Sequence, residues 1–151
     1  MRQVLVRLKL LQSILDKKQA ALIMILNICE NQESVYLSSQ EDKQSFLQEL
    51  GQEKQKRIDE VLYYDELFQN TFDGIKDEIV AAPAEYAEQV KLMQDSIEAV
   101  MKLDVAIRAK EEKVKAIIPL TKKQEPISKF VNKNYILDQY KSNSKNSRKG
   151  E

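Results

Sequence analysis

Apolar residues return every three or four positions along most of this chain, in three successive runs. The first run is Leu8, Leu11, Leu15, Lys18, Leu22, Ile25, Cys29, Gln32 and Tyr36. The second is Leu50, Lys54, Ile58, Val61, Asp65, Phe68, Phe72, Ile75 and Ile79. The third is Tyr86, Val90, Met93, Ile97, Val100, Asp104, Ile107, Glu111, Val114 and Ile118. Such steps return to one face of an α-helix, whereas a strand would need strict alternation. They average about 3.5 residues, the repeat of left-handed coiled coils. The segments that carry these runs are each roughly 35–40 residues long, on the order of 50–60 Å as helix.

The joins between the runs are short. Ser38 and Glu41 have the spacing of a capping box, in which the hydroxyl takes a free backbone N–H and the carboxylate reaches back. The second run ends at "AAPAE", where Pro83 suits the first turn of a following helix because its missing N–H costs nothing there. Pro119 is expected to stop the third helix. Short joins force neighbouring helices to run antiparallel. The expected fold is therefore all-α: an elongated up-down-up three-helix antiparallel bundle with coiled-coil packing over residues 1–119, and a flexible basic tail over 120–151. Composition agrees, since 42% of residues are hydrophobic, 32% are charged, and there are only three Gly and three Pro. Gly51 and Gly74 fall inside the second run and read as glycines tolerated in a long helix.

In the stretch "AALIMILNIC", Ala20 to Cys29, nine of ten residues are apolar. A membrane-spanning helix needs about 20 such residues, and this run is bounded by "LDKKQ" and "ENQES". No membrane insertion is expected, and the N-terminus lacks the uninterrupted apolar stretch of a secretory signal. Beside the main stripe lies a second one, Ile14, Ala21 and Ile28, so this helix can meet two neighbours at once. Ile23 and Met24 then remain as a surplus pointing about 100° or more away from the core direction. They are candidates for contact with a partner helix or a second subunit, Met supplying adaptability. Leu22, Ile25, Val61, Phe68, Phe72, Ile97, Val100 and Ile107 are expected in the core.

Little in the chain suggests catalysis. The absence of His removes the commonest general base and zinc ligand. No phosphate-binding glycine loop or nucleophile triad is present. Asp77–Glu78 and Glu111–Glu112 are consecutive, so their carboxylates diverge on a helix. Lys54, Asp65, Asp104 and Glu111 occupy seam positions. They could form a buried acid–base cluster, but the reading preferred here is that they fix register or snorkel at the seam edge. Cys29 is expected as a small buried hydrophobe. No enzyme activity, metal or cofactor is expected. From Leu120 on, eight Lys or Arg face three acids, so the tail carries +5 and the preceding 119 residues −5. A basic tail on an acidic body is not the platform that nucleic-acid binding needs, and no nucleic-acid partner is expected. Within the tail, Ile127, Phe130, Val131, Leu137 and Tyr140 are at near-helical spacing after Pro126, whereas "SNSKNSRKGE" has no apolar residue and reads as disordered.

The run "LKLLQSILDKKQAALIMILNICENQESVYLSS", followed by "FLQELGQEKQKRIDEVLYYDELFQNTF", resembles the FlgN-like flagellar export chaperones over roughly residues 5–118. The part beyond generic helix pattern is the Glu53-Lys54-Gln55 step leading into Ile58, Asp59 and "LYYDELF". The resemblance implies a small cytoplasmic chaperone of the flagellar type III export system. Such proteins hold the amphipathic helical end of hook-associated proteins and pass it to a component of the export gate. In the family the C-terminal region is where partner binding is placed, which on this chain implies Phe130, Val131, Leu137 and Tyr140. The alternatives are a FliT-like chaperone for the filament cap and a structural coiled-coil protein whose helices exist to build an oligomer, a homodimer being the simplest.

Overall fold

The computed structural model describes residues 2–39 and 41–121. Its elements are α1 (Arg2–Leu37), α2 (Lys43–Asp73), α3 (Lys76–Ala81) and α4 (Ala87–Thr121). No strand occurs among the described residues. Over the described residues the expectation of an all-α fold whose helices pack on one another is met.

Helix α1 is the centre of the arrangement. The close backbone approaches are α1 with α4 and α1 with α2. Lys18 of α1 meets Asp65 of α2, while Gln32 further along α1 meets Lys54 earlier in α2, so these two helices run in opposite directions. Gln12 meets Ser96 and Glu33 meets Lys110, so α1 and α4 run the same way. A helix with neighbours on two sides must bury two stripes. This explains the apolar coat of Ala20–Cys29: Leu22, Ile25 and Cys29 are buried on one stripe and Ala21 and Ile28 on the other.

The core is divided along its length. At one end Leu8, Leu11 and Leu15 pack with Ile75, Tyr86 and Met93. In the middle Leu22, Ile25 and Cys29 pack with Ile58, Val61, Val100 and Ile107. At the other end Tyr36, Leu47 and Val114 form a small third cluster. Phe68, Phe72 and Ile97 differ from expectation: they are half-buried and lean on the first cluster rather than lying inside it. Phe68 and Phe72 stack on each other, with ring centroids 6.2 Å apart. One turn apart on α2, the two rings shield each other at the margin of the cluster instead of inserting into it.

Four local expectations are corrected. The second run is not one helix to Ile79, because α2 ends at Asp73 and α3 begins at Lys76. At the break, Gly74 N–H donates to Thr71 O (3.2 Å) and Ile75 N–H to Phe72 O (3.0 Å), tightening the last turn and carrying Ile75 into the core. A Cβ added to Gly74 would lie 2.8 Å from the tip of the exposed Arg7 side chain, which can swing aside, and a Cβ on Gly51 would meet nothing within 4 Å. Second, Ser38 does not cap α2. Its hydroxyl donates to Val35 O at 2.8 Å and so closes the end of α1, while α2 starts after Asp42. Third, Pro83 lies in the turn before α4 rather than in its first turn. Fourth, α4 runs two residues past Pro119. A proline removes one backbone donor and crowds the preceding turn, and here that disturbance falls in the last turn, where little helix follows.

Candidate functional site

Ile23 and Met24 protrude from α1, 44% and 42% exposed, while Leu22 and Ile25 on either side of them are at 1%. Successive helical residues point about 100° apart, so two adjacent positions must leave a helix that buries two stripes. Leu5 is also exposed and lies about five turns from Ile23, on the same face of α1; exposed Val6 stands in the same relation to Met24. On the other long helices, exposed large apolar residues include Phe46, Leu62 and Tyr63 of α2 and Leu92 and Val105 of α4. Ile127, Phe130, Val131, Leu137 and Tyr140 lie outside the described residues.

Of the four seam charges, Lys54, Asp104 and Glu111 do not snorkel, while the Asp65 side chain is 16% exposed. Lys54 is fully buried, Glu111 is 6% exposed and Asp104 7%. Each sits on the core stripe of its helix, too far from the flank for its head to reach water. They form two polar layers between the apolar clusters. In one, the Lys54 ammonium donates to Gln32 Oε1 at 3.2 Å and pairs with Glu111 Oε2 at 3.2 Å, tying α2 to both α1 and α4. In the other, the buried Lys18 ammonium of α1 pairs with Asp65 of α2, and Asp104 of α4 lies within reach of the charge of both. The sequence placed Lys18 on a stripe but gave no sign that it would answer those two acids. Only the offsets between helices bring the three together.

Burial governs the titration of this second layer. It pushes Lys18 down and Asp65 up, each toward its neutral form, while their mutual attraction works the other way. Asp104 is raised from the ordinary 3.8 to about 6, first by burial and further by the Asp65 charge, with Lys18 and Arg108 opposing. Oδ2 of Asp65 and Oδ2 of Asp104 are buried without a hydrogen-bond partner. A buried acceptor left unpaired is costly, and costlier when ionised.

A cavity of about 330 Å³ lies where the α2–α3 break meets the ends of α1 and α4, lined by Val4, Arg7, Gly74, Ile75, Glu78 and Tyr86 among others. Its sequence signal was Gly74. Among the described residues no group of three His, Cys, Asp or Glu is placed to hold a metal ion, and no helix is long and apolar enough to cross a membrane.

No known protein family, curated protein or solved structure matches the chain.

Proposed function

We propose that this chain is a helical binding module, an up-down-up coiled-coil bundle of three long helices with α3 as an elbow, that shelters an amphipathic helix of another protein. The observation that carries the reading is the exposure of Ile23 and Met24 in the middle of the most apolar helix. Apolar side chains held out from a rigid helix suit a partner helix that presents anchors at i, i+3, i+4 and i+7. The resemblance to FlgN-like chaperones makes the partner the C-terminal helical segment of a hook-associated flagellar protein, delivered in the cytoplasm to the export gate. Residues 130–140 are assigned to close over that segment, at the expense of part of the interaction energy in ordering.

The test is calorimetry with hook-associated subunits, comparing the full chain, a chain ending at Lys123, and the double variant Ile23→Asp with Met24→Asp. One-to-one binding that weakens at least tenfold in both altered chains supports the reading. Full affinity in the shortened chain removes the tail from the site, and full affinity in the double variant removes the α1 surface. If the unaltered chain binds no late flagellar subunit and assembles with itself at low concentration, the structural coiled-coil reading replaces this one.

A further inference from the structure

Asp65 on α2 and Asp104 on α4 meet in the interior beside Lys18 of α1. The close backbone approaches of α2 are mostly to α1, while side chains of α2 and α4 share the central apolar cluster. Three elements supply the charges around Asp104: Lys18 from α1, Asp65 from α2 and Arg108 from α4 itself. Lys18 is committed to Asp65 by an ion pair. Arg108 is half-buried and bears on Asp104 more weakly than Lys18 or Asp65. Both carboxylates also hold an oxygen that no donor reaches. Two buried carboxylates competing for an ammonium form an arrangement in which one of them readily takes a proton.

We propose that Lys18, Asp65 and Asp104 form a proton-binding site at the junction of α1, α2 and α4, occupied on Asp104, which tightens the bundle as the medium is acidified from neutrality. The proton adds to a carboxylate oxygen of Asp104 and comes from solvent; no bond is broken in the protein. It removes the repulsion between α2 and α4 and the penalty for a buried charge, leaving Lys18 to Asp65. The site does not depend on what the bundle binds.

The direction follows from linkage. Asp104 holds a proton in the folded chain up to about pH 6 but in the unfolded chain only to about 3.8. Its contribution to stability is fully present below the unfolded value and is lost as pH rises through the folded one. Between pH 7.5 and 5 it should lower the unfolding equilibrium constant about tenfold. This opposes the usual acid weakening of proteins whose carboxylates are stabilised by pairing.

The experiment is urea unfolding of the full chain and of Asp104→Asn at pH 7.5 and 5, together with a carbon-13 titration of the Asp104 carboxyl in the unaltered chain. The unaltered chain should gain about tenfold in its folding constant on acidification relative to the variant, and the carboxyl should titrate with a midpoint near 6. A midpoint within the ordinary aspartate range overturns the proposal. So does an Asp104→Asn chain whose folding constant changes between pH 7.5 and 5 as much as that of the unaltered chain. The carboxyl titration decides the matter even if the variant fails to fold.

Discussion

The layer around Lys18 sets an ammonium against carboxylates from two different helices, whereas the layer around Lys54 sets one against a carboxylate and a neutral amide. Both lie between apolar clusters, and both lysines are at most 1% exposed. In the Lys54 layer Gln32 accepts a hydrogen bond without adding a second negative charge. In the Lys18 layer Asp104 stands where an amide could have stood, and it leaves Oδ2 without a partner. Two acids sharing one buried ammonium leave a group that solvent protons can neutralise at modest cost.

The sharpest way to break this contrast is to remove the two ammonium groups separately. Lys18→Met should cost about 4–5 kcal/mol at pH 7.5, the upper part of the range for breaking a buried pair, because two acids lose their cation together. The loss should shrink on acidification as those acids take up protons, by up to about 1.4 kcal/mol per pH unit for each. Urea unfolding at two pH values measures both quantities. Lys54→Met should cost about 3 kcal/mol by the same measurement, the lower part of that range, since Gln32 brings no charge. Equal losses with equal pH dependence would erase the distinction between the layers. Phe68→Ala supplies the apolar control beside the Lys18 layer. A fully buried Phe truncation costs about 3–5 kcal/mol; with Phe68 half-buried, about 2 kcal/mol is expected, unchanged between pH 7.5 and 5.

Much of the fold was legible before any coordinates. The stripes located the three long helical regions and the break near Ser38, and placed Leu22, Ile25, Val61, Val100 and Ile107 in the core, where they are. The end of the second helix was not legible, because the stripe continues in phase through Ile75 and Ile79 while the chain itself bends at Gly74. Periodicity registers which side chains turn inward and is blind to a short break that keeps them inward. Phe68, Phe72 and Ile97 were placed too deep for a related reason: a stripe gives direction, but depth depends on how closely the neighbouring helix lies. In the candidate binding surface, Ile23 and Met24 could be read as surplus from helical angles alone.

The sequence by itself determined that this chain is helical, where its long helices lie and which residues turn inward, because these follow from contacts within one helix and from spacing along it. Tertiary structure alone decided which charges meet. Lys18 and Asp65 are brought together by the antiparallel offset of α1 and α2, and Asp104 joins them by the parallel offset of α1 and α4. Those offsets come from the packing of whole helix faces. A slide of one turn, about 5.4 Å, would keep every stripe facing the core and yet give each lysine a different acid.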